Sequence, residues 1–250
     1  MASTDSAGVP WEGRSFEHAP ASDDDGSAPP KLLEALKRFR SRELGEAEVV
    51  DEIRSSRLLI PLVAELGEEG RSDAGHPVDK SQELSIVTVS GPDGRSVLPA
   101  FTSVDAMARW NPKARPIPAD GRRIALAAAS EGTDLVVIDA TSETEFAVRR
   151  PALWALAQDE PWCPSYLDEE VLAEFLISAD GEEAIVAIQL APGDPDARLV
   201  GPELLVHLSL VPGLDETELA ALLARAQAAW SMSELIATRV DSMMVRLANA

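Results

Sequence analysis

Over residues 31–40, Leu32, Leu33, Leu36 and Phe39 recur at helical spacing, with Lys37, Arg38 and Arg40 on the opposite side. That period predicts an amphipathic helix. After Gly45, Val49, Val50 and Ile53 predict a second, shorter one. The pattern then changes to a continuous apolar run at 58–64, the mark of a strand, in which Pro61 requires an edge position or a bulge. Residues 67–80 are polar and glycine-rich and predict a mobile loop.

Alternation returns at 84–89, followed by Gly91-Pro92-Asp93-Gly94 and a second strand at 95–101. Proline and glycine supply the dihedrals of a tight turn, so this segment reads as a hairpin. Thr102 and Asp105 have capping-box spacing for a helix over 104–110. Pro112, Pro116 and Pro118 then impose an extended connection. Asp120 is an N-cap for an alanine-rich helix over 121–130. Leu135 to Ile138 is wholly apolar, as in a strand covered on both faces. A short strand follows at 145–149, and Pro151 opens a helix carrying Leu153, Trp154 and Leu156.

Beyond this point the same devices repeat. Asp168 caps a helix with Val171, Leu172, Phe175 and Leu176, and strands are predicted at 185–190 and 204–211. Asp215 and Glu218 cap a helix running to Trp230, and 242–247 reads as a last strand. The order predicts an α+β fold of two small αβ domains, 31–150 and 151–250, each a mixed or antiparallel sheet with packed helices. Residues 1–30, rich in Ser, Ala, Gly, Pro and Asp, are expected to form a disordered acidic tail.

Composition narrows the function. With 43 acidic and 22 basic residues the net charge is −21, which argues against nucleic acid and anionic membranes as partners. No apolar run reaches the roughly 18 residues that a membrane span needs, and the N-terminus lacks a secretory pattern. The single cysteine, Cys163, excludes an internal disulfide and a Cys-built zinc site and points to the cytoplasm.

Candidate chemistry is sparse. Cys163 lies among Asp159, Glu160 and Asp168, charges that oppose a reactive thiolate. Of His18, His76 and His207, only His207 sits in a predicted regular element, and no Gly-x-Ser-x-Gly elbow accompanies it. No phosphate-binding glycine loop is present, and the pairs Glu143/Glu145 and Asp168/Glu170 read as turn and helix-start residues. The expectation is no catalytic residue, no cofactor and no metal. Tryptophans enrich binding hot spots, so Trp154, Trp162 and Trp230 form a candidate interaction surface at a seam between the domains. Core packing is the simpler role for such rings.

The runs Leu58-Leu59-Ile60-Pro61-Leu62-Val63 and Leu98-Pro99-Ala100-Phe101-Thr102-Ser103, with the helix closing at Trp110 and the strand 135–139, carry a resemblance. In these residues the chain resembles the enhanced-serine-sensitivity family of SseB-type proteins, over about 31–250, the second half by element order. Family members often end the strand with Asn-Pro, where this chain has Asp139-Ala140. The resemblance implies no transferable mechanism. The reading is a cytoplasmic, non-catalytic regulatory or adaptor module acting on a protein partner. The alternatives are a sensor binding an amino acid between the domains and a hydrolase using His207.

Overall fold

The computed structural model describes residues 24–65 and 83–249. The predicted loop at 67–80 and the first 23 residues of the expected tail lie outside these. Among the described residues the fold is mixed α+β, with eight helices and three small sheets.

Helices α1 (Pro30–Arg40) and α2 (Glu46–Ser55) bury the stripes their period requires: Leu32, Leu36 and Phe39 from one, Val49, Val50 and Ile53 from the other. Strand β1 (Leu58–Glu65) then runs between β2 (Glu83–Ile86) and β5 (Arg115–Ala119), antiparallel to both. Leu59 exchanges two backbone hydrogen bonds with Phe101 on the side away from β5. Backbone groups two residues apart share an edge, so the missing donor of Pro61 falls beyond that bridge, before the pairing with β2 starts at Leu62. The proline is accommodated by a gap in the ladder. Pro116 and Pro118 lie on β5, an edge strand, where a lost donor costs no pairing.

The second sheet has the order β3 (Val89–Ser90), β4 (Ser96–Ala100), β6 (Val136–Ile138) and β7 (Phe146–Val148), with β4 parallel to β6. The run 84–89, read as one strand, is therefore two: β2 pairs with β1, and the chain crosses at Val87-Thr88 to pair β3 with β4. Its turn is as expected, with Gly94 at φ +83°. Helices α3 (Val104–Trp110), α4 (Gly121–Ser130) and α5 (Arg150–Gln158) complete this region. Leu98, Val136, Ile138, Phe146 and Val148 from one sheet face join α1, α2, α4 and α5 in one apolar cluster, with Phe39 edge-on to Phe146 at 5.1 Å.

The remaining elements are α6 (Glu169–Ser178), β8 (Ile185–Pro192), β9 (Leu204–Leu210), α7 (Glu216–Met232), α8 (Glu234–Arg239) and β10 (Met243–Asn249). β9 lies between β8, antiparallel, and β10, parallel. Leu204, Val206, Leu208 and Leu210 bury one face against the helices, with Trp230 edge-on to Phe175 at 5.2 Å. Asp215 and Glu218 form the expected capping box, whereas α8 carried too short a period to be foreseen.

Two features depart from the expected domain plan. Ala152, Leu153 and Leu156 place α5 in the first apolar cluster, so packing changes over after α5 rather than before it. The loop 193–201 between β8 and β9 also reaches into the first region: Ala197 joins the first cluster, and Leu199 lies against Val97 and Val137 on the other face of the β4–β6 sheet. Its ends are pinched, since a Cβ on Gly193 would collide with the Pro202 carbonyl oxygen. Ala197 and Leu199 hold left-handed φ of +47° and +58°, a conformation that bulky residues adopt only when their surroundings impose it.

Candidate functional site

Strands β4 and β6 are parallel, and the crevice beyond the carboxyl ends of such strands is where α/β sheets place ligands. Here the chain leaves β4 at Phe101-Thr102 and β6 at Asp139. Asp139 is 2% exposed and left-handed, at φ +49°. Its carboxylate accepts from the Thr102 backbone N–H (2.8 Å), Thr102 Oγ1 (2.7 Å) and Thr144 Oγ1 (2.9 Å). Three donors satisfy a charge that would be costly to bury alone. Thr102 is thereby occupied, and the cap of α3 is Ser103, whose hydroxyl accepts from Ala106 N at 3.1 Å. That corrects the capping pair expected at Thr102.

Three adjoining cavities curve around this turn. The first, about 460 Å³, is floored by Val97, Pro99 and Val137 and walled by Trp110 and Arg198. It opens where Pro99 interrupts pairing: Val97 pairs with β3 and Phe101 with β1, and between them Pro99 has no donor to offer. Trp110, tilted against Phe101 at 5.3 Å, Ala140 and Thr141 are shared with the second cavity, about 160 Å³. Arg109, Asp139 and Ser142 carry that one into the third, about 560 Å³, which Ser27, Ala28 and Leu33 close on the far side. Together they form a trough, apolar at one end and polar at the other.

The polar end is fixed in part by residues assigned from sequence to the tail. Gly26 O accepts from Val104 N at 3.0 Å, Asp24 pairs with Arg57 at 2.7 Å, and Arg57 also donates to Ser27 O. Residues 24–29, part of the tail expected over 1–30, are thus pinned beside α3. By contrast, the side chains of Asp105, Arg109 and Glu143 make no hydrogen bond or ion pair among the described residues, although all three line the trough.

A second concentration of charge lies where the two regions meet. Arg149, 6% exposed, donates to Asp241 (3.1 Å), Ser242 Oγ (3.3 Å), Asp194 (2.7 Å) and the Gly201 carbonyl (2.9 Å). Arg95 reaches the same Asp241 through two bonds of 2.9 and 3.0 Å. Burial pushes the Asp241 carboxyl up, but the bonds and charges of Arg95 and Arg149 outweigh it and hold the group below the usual range. Glu203 accepts from Ser165 Oγ and from Asp241 N, and burial pushes its pKa up. Burial likewise raises Glu46, which accepts from the Tyr166 hydroxyl at 3.2 Å, to about 7. Arg40 and Arg42 clasp the strained loop, donating to the carbonyls of Asp196 and Pro195. Most polar groups of the seam are bonded to one another, while Asp194 Oδ1 and Arg150 Nε are buried without a partner among the described residues.

Residues 32–155 match the family model described as the SseB protein N-terminal domain. The chain belongs to the SseB family. The match spans nearly all of α1 to α5, and most of the trough lies within it. Ser27 and Ala28 precede it, and Arg198 of the groove wall, Asp194, Glu203 and Asp241 follow it. No curated protein and no solved structure matches the chain.

The residues singled out from sequence are scattered over this SseB protein. Trp230, at 2% exposed, is a core residue whose Nε1–H donates to Ser178 Oγ at 2.7 Å. Trp162 packs on the first apolar cluster, and Trp154 is 42% exposed under the Arg150 guanidinium. They do not form one surface, because Trp230 faces the second core and is absent from the exterior. Cys163 is exposed, and burial of its sulfur and the charge of Asp168 push its thiol pKa up. His207 lies on the half-buried face of β9, in register with Gln189 and Arg246. Glu145 accepts from Thr141 N, and Asp168 caps α6 and pairs with Arg239. Trp110 was the aromatic to follow: it ends a helix just after Pro99, whose effect on pairing opens the groove beside it.

Proposed function

We propose that this SseB-family chain is a non-catalytic regulatory or adaptor module that binds a protein partner in the trough at the carboxyl ends of β4 and β6. The observation that carries the reading is the apolar groove of about 460 Å³, floored by Val97, Pro99 and Val137 and edged by Trp110. Aromatic walls beside apolar floors are the usual anchors of recognition. The charged side chains of the seam support it differently. Arg149 joins the two regions through Asp194 and Asp241, while Glu203 bonds to Ser165 and Asp241 within the second. The single cysteine of the chain accords with a reducing compartment, and the proposal places the module in the cytoplasm.

A photo-crosslinking residue at position 89, on the groove rim, provides the test. In cells producing the tagged full chain, it is expected to capture one partner in stoichiometric yield, with recovery lost in Trp110→Ala. Recovery indifferent to Trp110→Ala, or a turnover abolished by a single substitution at His207 or Cys163, would overturn the proposal.

A further inference from the structure

We infer that the occupant of the trough is an extended segment of the partner in which an apolar anchor side chain is followed by basic residues. The inference rests on the reading above and adds the chemistry of the bound segment. Three cavities joined in series through shared walls suit a linear occupant better than a compact one. The apolar end takes the anchor, because Val97, Pro99 and Val137 offer it no polar partner while the Trp110 ring supplies a wall.

Strand addition is not the mode of binding, since Pro99 removes the donor an added strand would need on that edge of β4. The segment is held instead by its side chains and by isolated bonds to its backbone. Arg198 lines the groove wall, where its guanidinium can donate to a peptide carbonyl.

Charge decides which end of the trough takes the basic residues. The trough is lined by four carboxylates, Asp105, Asp139, Glu143 and Glu145, and by two guanidinium groups, Arg109 and Arg198. Asp139 is saturated by its three donors, but Asp105 and Glu143 at the polar end have no hydrogen bond or ion pair among the described residues. A basic side chain entering beside them completes two ion pairs, while Arg109 remains to bind a backbone carbonyl. The field of the whole chain, net −21, acts in the same sense and steers a basic segment inward.

The experiment uses the full chain and two fluorescein-labelled peptides of equal length, Gly-Ser-Leu-Gly-Lys-Lys-Ser and its counterpart with Glu-Glu in place of Lys-Lys. Anisotropy is followed from about 0.05 to about 0.5 M salt, a range over which screening of exposed charges becomes severe. The lysine peptide is expected to bind at least about tenfold more tightly, with the gap closing as salt rises. In Asp105→Asn/Glu143→Gln the gap shrinks to about twofold, whereas Trp110→Ala weakens both peptides. Equal binding of the two peptides, or a preference that survives loss of the two carboxylates, overturns the inference and leaves the groove reading standing. Absence of binding by either peptide also overturns it. Partner capture indifferent to Trp110→Ala removes the underlying reading instead.

Discussion

At the seam, Arg149 is buried and has four acceptors, drawn from three separate stretches of the second region. At the trough, Arg109 is exposed and has none among the described residues, although acidic residues outnumber basic ones in the chain by 43 to 22. The two arginines mark two uses of charge. Where a guanidinium has been desolvated, its partners must be supplied by the fold, because an unpaired buried charge is prohibitively costly. Where it stays in water, solvent satisfies it and it remains available to a ligand. Asp139 stands between the extremes: it lines the trough, yet it is buried and fully bonded like a seam residue.

The comparison breaks first at Arg149. Arg149→Met leaves Asp194 and Asp241 without this partner, and the expected loss is about 3–5 kcal/mol of unfolding free energy in urea titrations. A loss below about 1 kcal/mol, the value of an exposed pair, would show that the seam is not a structural clasp. Asp139→Ala strands the Thr102 N–H and two hydroxyls, and the same titration is expected to show a loss of about 2 kcal/mol. Asp139→Asn, which keeps acceptors and tolerates positive φ, is expected to lose less.

Glu46 sharpens the contrast through pH. Burial raises its pKa from an ordinary 4.5 to about 7, so the folded state holds this proton more firmly than the unfolded chain does. The stability it contributes is full below about pH 4.5, falls as pH rises toward 7, and is gone above that. Because Glu46 is only half-buried, the effect is expected to be about 1 kcal/mol. Unfolding midpoints across this range, compared between wild type and Glu46→Gln, check it: the substitution removes that part of the slope. The smallest effect belongs to the trough. Arg109→Gln and Asp105→Asn/Glu143→Gln are expected to change stability by no more than about 0.5 kcal/mol, as exposed residues outside any bonded network do. A larger change by thermal melting would place these charges with the seam.

Much of the fold was legible because its cues are local. Asp120, Asp168 and Asp215 cap the helices their spacing announces, and the stripes on α1 and α2 are the ones that are buried. Misreadings arose where two local cues competed. Thr102 and Ser103 are both capable caps, and the choice between them was made by Asp139, which took Thr102 for itself from 37 residues away. Residues 84–89 alternate without interruption, and only the positions of β1 and β4 divide them between two sheets. The tryptophans failed for a related reason: a large ring suits a core and a surface equally, and the side on which Trp230 falls depends on Phe175 and Ser178 of another helix.

Helix stripes, strand alternation, caps and turns act over a few residues, so most of the helices and strands and the α+β class could be read directly from the chain. The site could not. The trough exists because Pro99 leaves a gap beside Trp110, and because a loop almost 100 residues further on lays Arg198 along one wall. Which charges are spent in the interior and which stay free in water is set by desolvation, and desolvation depends on what packs over each group once the chain has folded.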